Sequence, residues 1–172
     1  MVLPDKREVC ASVTVKPVVG GKAFTYRSYD VYLALEEIWY ARDMPDEPMQ
    51  ISLREIMRYM EVPIKGKWCN ILIEEMQRLF ETTLSWSLSY KADQPHQTVK
   101  NQHILETFDY ASLDERASLG NRFEKTCFVR FDQYIRDNLK KRRTIPVNWK
   151  ARKAITSSVA KVLYSRLDNI LA

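Results

Sequence analysis

The segment MQISLREIMRYMEVPIKGKWCN, residues 49–70, together with its continuation to Tyr110, decides the fold. Met49–Ser52 is short and extended after Pro48. Ser52 and Glu55 form S-x-x-E, a capping box that starts a helix at Leu53. Arg54, Ile56, Met57 and Met60 continue that helix, which stops near Val62–Pro63 because Pro63 lacks an N–H and disfavours helix in the residue before it. Lys65-Gly66-Lys67 is the turn. A second helix runs from about Trp68 to Thr82. Leu84 to Tyr90 then alternates at period two, a strand signal. A polar loop from Lys91 to Asn101 and a return strand from Ile104 to Tyr110 complete a hairpin. Strand, helix, Gly-containing turn, helix and long hairpin is the order of a winged helix-turn-helix, a scaffold that docks on DNA.

Outward from this core, Asp30 to Tyr40 carries Val31, Leu33, Ala34, Leu35, Ile38 and Trp39 at helical spacing, a first helix buried on a broad side. Ala11 to Val19 alternates well enough for a short strand. Past the hairpin, 112–121 is polar and suggests a helical turn. Cys127 to Phe131 reads as a strand with Cys127, Val129 and Phe131 on one side, added to the wing sheet. Asp132 to Leu139 reads as a short helix. Asn148 caps a last helix, Trp149 to Leu171, with Ile155, Val159, Leu163, Leu167 and Ile170 along one apolar face that should be buried. The expectation is an α+β chain: an N-terminal strand or arm (1–23), a winged-helix domain (24–147) with an added strand, and a C-terminal helix (148–172) that packs on the domain or leads to a further one.

The 172 residues can bury about 70% of their unfolded surface, enough for a core without covalent staples. No apolar run is long enough to span a membrane, and the first sixteen residues have no signal core. Cys10, Cys69 and Cys127 are odd in number and far apart, which fits a reducing cytosol and neither a disulfide framework nor a zinc site. His96 and His103 have no cysteine partner, so no metal or cofactor is expected. Glu36–Glu37 and Glu74–Glu75 are adjacent on helices and diverge by about 100°, so they cannot share a proton. Cys69 lies on the apolar face. No constellation for catalysis is visible, and the chain reads as a non-enzyme.

Charge points to nucleic acid. Residues 1–86 hold 11 Lys/Arg and 13 Asp/Glu, net −2; residues 87–172 hold 16 and 9, net +7. Arg136, Lys140, Lys141, Arg142, Arg143, Lys150, Arg152 and Lys153 cluster with one acid, Asp137, between them, so this segment alone is +7. Such a cluster attracts polyanions by counterion release. On the second helix, Cys69, Leu72, Ile73, Met76, Leu79 and Phe80 mark the core side, while Lys67, Asn70, Ile71, Glu74 and Arg78 face away. Lys65, Lys67 and Asn70 sit at the end that enters the major groove, where Asn can read adenine and Lys or Arg guanine. Glu74 and Glu75 oppose that role by repelling phosphate. The hairpin loop offers Lys91, His96, Gln97 and Lys100 for phosphate or minor-groove contact. Lys140, Lys141, Arg142 and Arg143 add a basic connector.

Three further stretches, FVRFDQYIRDNL (128–139), AKVLYSRLD (160–168) and YDVYLALEEIW (29–39), resemble winged-helix plasmid replication initiators of the replication initiator A type. The likeness spans most of 24–171 through degenerate apolar patterns. It implies binding of double-stranded DNA at repeated origin sequences and recruitment of host replication proteins, with a homodimer as one further association. Such initiators often carry two winged domains and one copy is visible here, which suggests a piece of a longer protein. A winged-helix transcriptional regulator and a winged protein-interaction module without DNA are the rival readings.

Overall fold

A computed structural model describes residues 12–16, 23–87, 102–110, 126–141 and 147–171, leaving out the side chains of 12–14, 86–87 and 165–171. The wing loop, the 112–121 turn, and Arg142 and Arg143 lie outside the described residues. Elements follow as β1 (Ser12–Lys16), α1 (Tyr26–Ala41), β2 (Met49–Ser52), α2 (Leu53–Tyr59), α3 (Gly66–Glu81), β3 (Thr83–Ser87), β4 (Gln102–His103), β5 (Leu105–Tyr110), β6 (Thr126–Phe131), α4 (Gln133–Lys140), α5 (Trp149–Ala154) and α6 (Ser158–Leu171). The mix of helix and sheet is α+β.

Local signals set the helix starts. Ser52 Oγ accepts from the Glu55 N–H at 3.0 Å, half of the expected capping box. The other half is absent, because the Glu55 carboxylate pairs with Arg42 at 2.8 Å instead. Helix α1 begins four residues earlier than its apolar spacing suggests. Thr25 caps it, accepting from Ser28 N–H while Ser28 Oγ accepts from Thr25 N–H. Asp132 and Asn148 cap α4 and α5 through their side-chain oxygens.

Helix α1 is the centre of the molecule. Val31, Ala34, Leu35, Ile38 and Trp39 are buried among Ile51, Leu53, Ile56 and Met57 from β2–α2, Leu72, Met76 and Leu79 from α3, and Val129 and Phe131 from β6. Each such side chain contributes about 1.5–3 kcal/mol by leaving water. Trp39 satisfies its indole N–H on the Pro45 carbonyl at 2.9 Å, which seats the loop between α1 and β2. Strand β6 buries Cys127, Val129 and Phe131 and exposes Phe128, the alternation expected of it.

The sheets differ from the expected hairpin. One antiparallel sheet runs β1-β3-β4 and a second runs β2-β6-β5. Among the described residues, strand β3 meets the returning chain at Thr83–His103 and Leu84–Gln102, and it pairs along its whole length with β1. The return strand breaks at Ile104 and its longer part, β5, pairs with β6. The break lets Ile104 and Leu105 both turn into the core.

The C-terminal helix is a second correction. It is interrupted after Ala154, where Ile155 is extended, and it restarts at Ser158. Ser157 caps the restart, its hydroxyl facing Ala160 N–H at 3.4 Å and its carbonyl accepting from Lys161 N–H at 3.0 Å. Polar Thr156-Ser157-Ser158 offers the backbone these alternatives to continuous helix. Of the apolar face expected to be buried, Val159 is 67% exposed and Leu163 54%, Ile155 is half-buried, and the side chains of Leu167 and Ile170 lie outside the described residues.

Candidate nucleic-acid interface

The first turn of α3 lies in solvent. Lys65, Gly66, Lys67 and Asn70 are exposed, and Trp68 and Cys69 are half-buried against the core. Lys65 is the cap residue and makes no side-chain capping bond, and no acid stands in the first turn. Two lysines at the positive end of a helix dipole are locally unfavourable. The same arrangement receives an anion well. A Cβ built on Gly66 meets nothing within 4 Å, so its own fold does not require glycine there; open backbone permits close approach from outside.

Helix α3 buries a carboxylate. Glu75 is 3% exposed and accepts from Ser28 Oγ at 2.6 Å, Thr25 Oγ1 at 3.1 Å and Arg78 at 2.7 Å. It ties α3 to the capping box of α1 and points away from the surface that would meet DNA. Of the two opposing glutamates, only Glu74 stays in solvent, 3.9 Å from Arg78. Arg78, expected to face outward, is instead 14% exposed and engaged with Glu75. A sequence signal existed: Glu75 sits one helical turn from both Leu72 and Leu79, on the apolar stripe.

Of the six described cations in the basic segment 136–153, four pair with acids of the same chain. Arg136 is buried, donates to the Phe131 carbonyl and lies 3.3 Å from Glu106 and 3.5 Å from Asp46. Lys140 Nζ is 2.7 Å from Asp46, whose carboxyl its hydrogen bond holds below the usual range. Arg152, 1% exposed, donates to Asp30 at 2.8 Å and to the Lys161 carbonyl at 2.8 Å, and stacks 4.7 Å from the centre of the Tyr29 ring. Lys161 completes the set at 2.7 Å from Asp30. These contacts fasten α5 and α6 to α1. Lys141 and Lys150 are exposed and make no ion pair among the described residues. Lys91, His96, Gln97, Lys100, Arg142 and Arg143 lie outside that range.

Cys127 donates its thiol to the Ile51 carbonyl at 3.3 Å, and burial pushes it up to about 12, far from a reactive thiolate. Among the described residues no group of three His, Cys, Asp or Glu side chains could hold a metal, and no helix is long and apolar enough to cross a membrane.

No protein-family model and no curated protein matches the chain. Its fold is similar to solved structures of domains 2 and 3 of RctB. One superposes with a TM-score of 0.61 at 12% identity, covering 98% of this chain and 66% of that one. Another gives 0.51 at 11% identity, covering 82% and 57%. At this identity the likeness is one of fold, and the chain spans about two thirds or less of those two-domain structures.

Proposed function

We propose that this chain binds double-stranded DNA as a winged-helix module and serves in replication initiation at origin repeats. Helices α2 and α3 form the helix-turn-helix, α3 enters the major groove by its first turn, and the expected wing is the polar loop from Lys91 to Asn101, outside the described residues. The carrying observation is the exposed, acid-free start of α3, with Lys65, Lys67 and Asn70 in solvent while Glu75 is withdrawn into the core. The initiator role is supported by the motif resemblance of residues 29–39, 128–139 and 160–168, and the fold by the likeness to domains 2 and 3 of RctB. The reading is of a binding protein with no catalytic step and no cofactor. Host replication proteins or a second copy would use other surfaces, such as the open α6 face.

Salt titration of binding to duplex DNA is the test. If six or so phosphates are neutralised, affinity falls by about 10³ or more between roughly 50 and 200 mM salt. After selection of a preferred site from random duplexes, Asn70→Ala should cost about 1–3 kcal/mol on that site and much less on random DNA. A flat salt response would falsify DNA binding and favour a protein-interaction module.

A further inference from the structure

Glu61 holds a backbone position that favours glycine. It follows α2, where its N–H reaches the Arg58 carbonyl at 3.1 Å and the Val62 N–H reaches Met57 at 3.0 Å. This pair of bonds is a Schellman ending, and its left-handed residue is Glu61 with φ 56°. A side chain there is strained. What Glu61 has that glycine lacks is a carboxylate, and that carboxylate accepts from Lys153 Nζ, 92 residues later on α5. The Lys153 side chain is 17% exposed against 66% for Glu61, and its ammonium lies 5.5 Å from the centre of the Trp149 ring. Lys153 is thereby held at the elbow between α2 and α3, four residues before Lys65. Lys150, three residues earlier on the same side of α5, is exposed.

We propose that Lys153 is a further ligand for the DNA backbone and that Glu61 is its intramolecular placeholder. In the free protein the carboxylate occupies the ammonium; on the duplex a phosphate replaces it. This rests on the DNA-binding reading above. Three physical points carry it. The elbow of a helix-turn-helix runs beside the phosphate backbone, so a lysine there is in reach of one. A largely exposed carboxylate is a weak stabiliser, since pairs of this kind contribute little in water, so stability alone accounts poorly for a strained glutamate. The same weakness makes exchange for phosphate inexpensive. Lys153 is also pre-positioned by Trp149, so less side-chain freedom is lost when phosphate arrives.

The experiment is a cycle of wild type, Glu61→Gln, Lys153→Gln and the double variant, each titrated with one fixed duplex across a salt series. Glu61→Gln should tighten binding about two- to fivefold at low salt, the scale of one exposed ion pair. Lys153→Gln should weaken binding and flatten the plot of log affinity against log salt by about 0.9. With Lys153 already replaced, Glu61→Gln should change affinity by less than half as much, and Lys153→Arg should keep the wild-type slope. Equal tightening in both backgrounds, or an unchanged slope in Lys153→Gln, overturns the placeholder while leaving DNA binding intact. Weaker binding by Glu61→Gln together with a lower melting midpoint also overturns it and makes the pair a structural latch. A wild type that binds no duplex at any salt overturns the underlying reading itself.

Discussion

At the start of α3, Lys65 and Lys67 stand in solvent with no acid beside them, whereas Arg136 and Arg152, from the most basic segment of the chain, are buried against Asp46, Glu106 and Asp30. Four of the eight cations counted between 136 and 153 are occupied by acids of the same chain: Arg136, Lys140, Arg152 and Lys153. The acids come from the N-terminal half or from β5, which is why a sequence-local count finds one acid where the folded segment meets several. The difference teaches that charge density along a sequence measures charge present, not charge available to a partner. The modest pair of lysines at the start of α3 is the freer of the two, and the paired members of the dense cluster serve first to hold α4 to β5 and the α1–β2 loop and to hold α5 to α1 and the end of α2.

The comparison can be broken most directly at Arg152. Replacing it by Met keeps much of its volume and strands Asp30, 4% exposed, beside Lys161 alone. Unfolding in urea should show a loss of about 3–5 kcal/mol, as for removal of one partner of a buried pair. A change under about 1 kcal/mol would mean that the cluster is not structural and that Arg152 is free for a ligand.

The opposite result is expected at α3. Lys65→Gln with Lys67→Gln should leave stability within about 0.5 kcal/mol of wild type, because both side chains are exposed. The double variant should lose DNA affinity and reduce the salt slope by about 1.8. Loss of stability without change of slope would reverse the roles assigned to the two regions.

The smallest effect sharpens the boundary of the paired region. Beyond Lys161, α6 exposes Leu163, so Leu163→Ala should shift stability by no more than about 0.5 kcal/mol, against the 2–5 kcal/mol of a buried leucine. Sedimentation of the same variant decides whether the open face is a self-association surface, since a change of mass without a change of melting assigns it to a second copy.

Much of the fold is legible residue by residue. Ser52, Asp132 and Asn148 announce helix starts because a cap acts on N–H groups two or three residues ahead. Pro63 and the Lys65–Lys67 turn separate α2 from α3, and Cys127–Phe131 shows its buried side by alternation. The elements that were misread fail for non-local reasons. The hairpin inferred from two neighbouring strand signals is met in part among the described residues: β3 pairs with the returning chain at 102–103 and also with β1, while β5 takes β6 as partner. The single C-terminal helix was inferred from apolar spacing, which cannot see the competing bonds of Ser157. Of the candidate site, Lys67 and Asn70, read from helical angle as facing away from the core, are exposed, as is Lys65 in the turn. Arg78 was not, because its angle says nothing of the carboxylate three residues before it.

What the amino-acid order determined by itself is the type and sequence of elements from β2 to α4, since propensity, caps and periodicity act within a few residues. What only the tertiary structure decided is which charges remain for a partner. Asp30 and Arg152 are 122 residues apart, and Ser28 and Glu75 are 47 apart. No local pattern couples such pairs. Burial in a common low-dielectric interior does, because an ionised group taken from water must find its counterpart there, wherever in the chain that counterpart lies.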